Sequence, residues 1–213
     1  MKLILPRKQD LTCIDPSEEP TRYYYWPLVG WFYRKRLEMM LDIIGDGPYE
    51  SILEVAYGSG VFMPTLARLC RSLHGIDLHD KVDIVQKTLG KGNVRAQLVS
   101  GNALNMPYEN ERFDCVVCVS MLEHVVNPGD FIDEMLRILK SGGVLALGFP
   151  CRNPAMNIFF KMLGFNPRKI HPSSHKDILN ALHSRPVTLV ARAFPSVIPL
   201  DSALYCCCLV RKR

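Results

Sequence analysis

Between residues 51 and 150 short apolar runs alternate with amphipathic segments, and few folds accept that pattern. Runs at 51–56, 73–77, 94–99, 113–119 and 144–149 read as strands. Between them, 64–72, 81–89 and 130–140 read as helices. In the last, Phe131, Met135, Leu136 and Leu139 recur at helical spacing, and Ser141-Gly142-Gly143 ends it. Strand alternating with helix calls for parallel pairing through right-handed crossovers, with both sheet faces covered. The unbroken Val116-Val117-Cys118-Val119 fits a strand with no solvent face. Two later runs, 187–193 and 203–210, stand too close for a parallel crossover and should pair antiparallel. The expectation is an α/β fold: a doubly wound, mainly parallel seven-stranded sheet.

A chain of 213 residues suits one domain with a substantial core. Residues 1–22, with Pro6, Pro16 and Pro20, read as a loose N-terminal arm. A helix follows within 23–45; Val29, Tyr33, Leu37, Met40, Leu41 and Ile44 form its stripe. Residues 50–150 are the core, 151–185 an insert and a helix, and 186–213 the terminal strands. The helix at 174–183 opens with a capping-box pattern, Ser174 and Asp177. Leu3-Ile4-Leu5 is too short for a signal peptide, so the 8 cysteines read as reduced thiols in a cytoplasmic protein. Cys115 and Cys118, three apart on a strand, should face opposite sides. The net charge of +5 is too mild to argue for nucleic acid.

Three segments carry chemistry. In Glu54-Val55-Ala56-Tyr57-Gly58-Ser59-Gly60 a strand runs into a small-residue turn and a helix, letting backbone approach a ligand. Gly75-Ile76-Asp77 places a carboxylate at the end of the second strand, where nucleoside-binding doubly wound folds keep an acid for the ribose. Its plainer reading is a cap for the next helix. The third runs from Gly101-Asn102-Ala103 through Met106-Pro107, Phe113-Asp114, Leu122-Glu123-His124 and Arg137-Ile138-Leu139-Lys140 to Gly142-Gly143.

With these segments in this order, the chain resembles the class I S-adenosylmethionine-dependent methyltransferases, in particular the small type 11 group, over about residues 50–150. The resemblance implies a Rossmann-like sheet of order 3-2-1-4-5-7-6 with strand 7 antiparallel. It implies S-adenosyl-L-methionine as cofactor and S-adenosyl-L-homocysteine as product. Glu54 and the turn Ala56, Tyr57, Gly58, Ser59 and Gly60 would cradle the amino-acid part, Asp77 the ribose, and Leu78 the adenine. Asn102 and Ala103 would border the adenine edge, with Ser120 near the methionine end. Three positions depart from the family pattern. Ala56 replaces a glycine and fits if its φ is negative; Asn102 replaces an Asp; Ser141 replaces a Pro. A dinucleotide-linked oxidoreductase would need a glycine where Met63 stands.

The expected reaction is methyl transfer to a small, apolar or aromatic acceptor, lipid-like or quinone-like. The segments left to enclose it are 23–36, rich in Tyr and Trp, and the insert after Pro150 with Ile158–Leu163. Ordinary cover of the sheet is the plainer reading of both. Residues 23–36 also suit a peripheral membrane contact. His124 is the candidate base, although packing at the cleft edge is preferred for it. His171 and His175 flank a helix start with no evident third ligand, so no metal is expected. The alternatives are a non-catalytic S-adenosylmethionine-binding protein and a protein or RNA methyltransferase.

Overall fold

A computed structural model describes residues 1–14, 21–27, 29–162, 164, 166, 171–197 and 199–213, apart from the Arg22 side chain. Pro16, Pro20, Leu163 and Pro167, on which parts of the sequence reading rest, lie outside the described residues. Seven strands form one sheet: β1 (Tyr49–Val55), β2 (Cys70–Asp77), β3 (Gln97–Ser100), β4 (Phe113–Val119), β5 (Leu139–Pro150), β6 (Val187–Phe194) and β7 (Tyr205–Lys212). Their order is β3-β2-β1-β4-β5-β7-β6. The pairs from β3 to β5 are parallel, and β7 runs antiparallel to both β5 and β6. The helices are α1 (Val29–Ile44), α2 (Met63–Leu66), α3 (Val82–Lys91), α4 (Pro128–Ile138), α5 (Pro154–Met162) and α6 (His175–His183).

The period-2 alternation of strands divides the core in two. Ile52, Cys115 and Val117 face one cluster, with Leu37 and Met40 of α1 and Val85 and Leu89 of α3. Leu53, Val55, Val116 and Cys118 face the other, with Ile132 and Met135 of α4 and Ile178 and Leu182 of α6. Cys115 and Cys118 therefore point apart, as their spacing requires, and none of the eight cysteines is in a disulfide. No helix among the described residues is long and apolar enough to cross a membrane.

Several local expectations change. The helix expected over 64–72 shrinks to Met63–Leu66, because β2 already begins at Cys70, opposite Tyr49. Leu66 and Leu69 are both buried, so their spacing marks an inward face that continues past the end of the helix. Ser141-Gly142-Gly143 lies within β5, where the register against β4 jumps between Phe113↔Leu139 and Cys115↔Val144. The N-terminal residues are docked rather than loose. Thr65 Oγ accepts from the Ile4 amide at 2.9 Å and donates back to the Ile4 carbonyl at 2.8 Å. Leu3, Leu5, Leu11 and Ile14 pack on the first core. The capping box of α6 forms as expected between Ser174 and Asp177.

Ala56 has φ +58°, not the negative value its side chain prefers. The Ala56 amide is held by the Ile76 carbonyl at 2.8 Å, and the chain must turn at once into Gly58. A left-handed L-residue costs roughly 1–2 kcal/mol. Ala56→Gly should therefore stabilise the fold by about 0.5–1 kcal/mol, the relief being partly offset by glycine's freedom in the unfolded chain. A denaturation midpoint at or below the parent's would contradict this. A second test concerns Asp114, which ties β1 to β4. It accepts from the Ser51 amide at 2.9 Å and hydroxyl at 2.8 Å, and from Lys140 at 2.8 Å. Partial burial opposes its charge, but the Lys140 and Ser51 hydrogen bonds outweigh that and hold the carboxyl below its ordinary 3.8. A carboxyl depressed in the folded state stabilises above its unfolded pKa and loses that contribution as pH falls. Asp114→Asn should cost about 1–2 kcal/mol at neutral pH. The gap between parent and variant should narrow below pH 3.8, as urea unfolding at several pH values would show.

Candidate functional site

The carboxyl ends of β1, β2 and β4 open on one edge of the sheet. Gly58 and Gly60 take φ +51° and +71°, and the Gly60 amide closes the turn onto Tyr57 O at 2.8 Å. A Cβ on Gly60 would lie 2.9 Å from Val85 Cγ1, so α3 also demands a glycine there. Asp77 faces this turn. Its Oδ2 accepts from the Gly58 amide at 2.7 Å and its Oδ1 from the His79 amide at 3.3 Å. His79 Nε2 in turn lies 3.1 Å from Gly58 O. Lys81 occupies the N-cap position of α3 and makes no side-chain capping bond, so Asp77 does not cap that helix. Each carboxylate oxygen keeps a lone pair beyond those bonds.

Around this pair the expected residues take different parts. Glu54 is buried, and burial followed by the charge of Asp77 raises its carboxyl well above the usual range. Its Oε2 has no hydrogen-bond partner among the described residues, nor has the buried hydroxyl of Tyr57. Tyr57 meets His79 edge-on at 5.0 Å. Ser59 is buried, and its hydroxyl accepts from the Ile14 amide at 3.2 Å, which brings the N-terminal segment against the turn. Leu78 is 78% exposed, an apolar surface awaiting cover. On the next loop Asn102 Oδ1 accepts from the Leu104 amide at 2.9 Å, and Ala103 packs against the second core.

Beyond β4 a second group of polar side chains gathers. Ser120 also has positive φ, +56°. Its hydroxyl accepts from Arg36 Nη1 at 3.0 Å and lies 2.9 Å from the Tyr205 hydroxyl. Arg36 is buried; its guanidinium lies over the Tyr33 ring at 4.3 Å, and its Nε lacks a partner among the described residues. Glu123 is buried, and burial raises its carboxyl. His124 is exposed, with its ring 4.9 Å from that of buried His171. His175 is engaged elsewhere: Nδ1 accepts from the Arg152 amide at 3.0 Å, and Nε2 meets Asp201 at 3.1 Å.

Sequence reasoning missed Arg36, Glu123 and Tyr205. Arg36 was visible in principle, since Tyr33, Arg36 and Met40 share the apolar stripe of α1, and a charge on that stripe calls for a partner. Glu123 and Tyr205 gave no such signal. The aromatic segment divides. Tyr23, Tyr24, Phe32 and Tyr33 are core, whereas Trp26 and Trp31 stay about half exposed. An apolar slot lies between α1 and α5, lined by Val29, Trp31, Phe32, Met156, Phe159 and Leu204.

Residues 53–147 match the model of a methyltransferase-domain family. The chain is 33% identical over 129 residues to the ubiquinone biosynthesis O-methyltransferase of Nitrosomonas europaea, covering 58% of this chain and 54% of that one. It is 31% identical over 98 residues to the demethylmenaquinone methyltransferase of Clavibacter sepedonicus, covering 46% and 40%. The chain spans about half the length of the curated relatives it matches. Among solved structures, the geranyl diphosphate C-methyltransferase of Streptomyces coelicolor A3(2) superposes with a TM-score of 0.68 at 16% identity, covering 95% of this chain and 90% of that one. The matched segment, under half of the chain, is thus similar to a methyltransferase domain, and the strand order and the small-residue turn facing an acid on β2 agree with that similarity.

Proposed function

We propose that this chain transfers the methyl group of S-adenosylmethionine to an oxygen of a small, apolar, quinone-like acceptor and releases S-adenosylhomocysteine. The observation that carries the reading is the Asp77 carboxylate held 2.7 Å from the Gly58 amide at the open edge of the sheet. An acid and a turn of backbone amides so placed suit a ribose diol and the zwitterionic tail of a nucleoside. Asp77 accepts from the ribose, Leu78 covers the adenine, and Asn102 and Ala103 border its edge. Glu54 and the turn from Ala56 to Gly60 hold the amino-acid part. Ser120, carrying the charge of Arg36 on its hydroxyl, lies toward the sulfonium and its carboxylate.

The acceptor comes from the other side. The slot between α1 and α5 is almost wholly apolar in its lining, and it favours a ring or an isoprenoid chain over a charged polymer. The quinone-named relatives support the same class. Exposed Trp26 and Trp31, with Ile158 and Met162 of α5 at 60% and 82% exposure, suit peripheral contact with a membrane holding such a molecule. The reaction is an in-line displacement: an acceptor oxygen attacks the methyl carbon, the carbon–sulfur bond breaks, and sulfur takes the electron pair. Alignment and exclusion of water supply most of the catalysis.

Asp77→Ala should weaken S-adenosylhomocysteine binding by about 1.5–3 kcal/mol; calorimetry that finds the affinity unchanged would remove Asp77 from the ribose site. Methyl-labelled cofactor, offered with a short-chain polyprenyl catechol, with total RNA and with protein extract, tests the acceptor class. Label in the organic-soluble product is expected. Label confined to RNA or protein overturns the small-molecule reading, and cofactor binding without transfer to any of them points to a non-catalytic binder.

A further inference from the structure

Beyond β4 three side chains of metal-binding type converge from two separate segments. A carboxylate oxygen of Glu123 and one ring nitrogen each of His124 and His171 lie within 4.8 Å of one another. Donors around one zinc-type ion, each at about 2.0–2.2 Å, stand about 3.4 Å apart. The observed span is somewhat wider, so an ion would draw the three side chains together, and His124 lies on the exposed side of the group.

The two buried members lack a sufficient structural reason of their own. Glu123 is 3% exposed, and its Oε2 has no partner among the described residues. A buried carboxylate oxygen left unpaired costs stability unless a cation or a proton answers it. The Arg36 guanidinium, held on the Ser120 hydroxyl at 3.0 Å, lies close enough for its charge to favour the ionised form of the same carboxylate. His171 is 6% exposed. One of its ring nitrogens is among the three donor atoms, and a neutral imidazole keeps a lone pair there. Phe160 meets that ring edge-on at 4.8 Å. The segments are pinned together: the Ser173 amide donates to Glu123 O at 3.3 Å, and the Ser173 hydroxyl donates to Val125 O.

We propose that Glu123, His124 and His171 bind one divalent transition-metal ion of the zinc type, leaving an open position for an oxygen of the methyl acceptor. The acceptor half of this statement rests on the methyltransferase reading above. Two imidazoles and one carboxylate suit zinc and its neighbours better than magnesium, which prefers an all-oxygen shell. Three protein ligands leave a fourth position for substrate. A hydroxyl bound there gives up its proton to solvent water near neutral pH. The oxyanion then attacks the methyl carbon, and the neutral thioether departs with the bonding pair. Charge balances, because the sulfonium cation and the oxyanion become two neutral products and the proton is already in solvent.

The test is calorimetric titration of the full chain, stripped with chelator, with zinc chloride. Glu123→Gln, His124→Ala and His171→Ala are measured alongside. One saturable ion per chain is expected, weakened about tenfold or more in each variant. His124→Ala changes an exposed side chain, so its loss of affinity cannot be ascribed to unfolding. Equal zinc affinity in the parent and His124→Ala would place the ion elsewhere and overturn the proposal, as would the absence of a saturable site in the parent. S-adenosylhomocysteine titrated into the same parent preparation separates the two readings. If it binds and zinc does not, the ion site falls and the methyltransferase reading stands. If zinc binds and it does not, the ion site stands and the acceptor role assigned to it falls.

Discussion

β1 and β4 are buried on both faces, and that constraint decides where this chain can keep polar groups. Along Ile52–Val55 and Cys115–Cys118 a side chain on either face meets a core, so polar groups gather at or beyond the strand ends. Glu54, next to the end of β1, is the partial exception; it stays inside at the cost of a carboxyl raised far above its usual range. At both carboxyl ends the backbone also leaves its preferred region, at Ala56 and at Ser120. Strained backbone and incompletely satisfied buried polar atoms coincide at one edge of the sheet, where parallel folds leave their crevice. A core under selection for stability alone would have removed such features.

The alternation of strands and helices carried most of the fold, because periodicity reports which faces are buried and parallel pairing restricts what can follow. It failed where burial and helicity part company. Leu66 and Leu69 are inward, yet the helix ends at Leu66, since β2 must begin early enough to pair Cys70 with Tyr49. The N-terminal segment defeated composition for a related reason: three prolines argue against a helix, not against docking, and Thr65 supplies the hydrogen bonds that a strand partner would.

In the site, legibility followed locality. Gly58, Gly60 and Asp77 were readable because each sits at a strand end, and the sheet itself brings those ends together. Arg36, His171 and Tyr205 arrive from α1, from the segment before α6 and from β7, and no spacing in the sequence relates them to β4. Ala56 shows a limit of another kind. Its identity was plain, but the sign of its φ follows from the tertiary bond to Ile76 and the demand of the turn beyond.

The family match ends at residue 147, and the polar cluster beyond β4 is built largely from outside the matched segment. Arg36 makes this concrete. A fully buried guanidinium loses its hydration, and here it recovers only part of that through Ser120, Tyr24 and the face of Tyr33. Replacing it with a methionine would fill similar space without that loss, so packing is a poor reason for its presence. Its position is better explained by the groups it serves. Its charge favours the ionised carboxylate of Glu123, and its Nε, which has no partner among the described residues, suits an anion arriving in the crevice. On the proposed reading, the first strands provide the cofactor edge, whereas α1, the segment before α6 and β7 supply charge and apolar surface at the acceptor end. Differences in acceptor among chains of this fold should accordingly lie in those flanking elements rather than in the turn after β1.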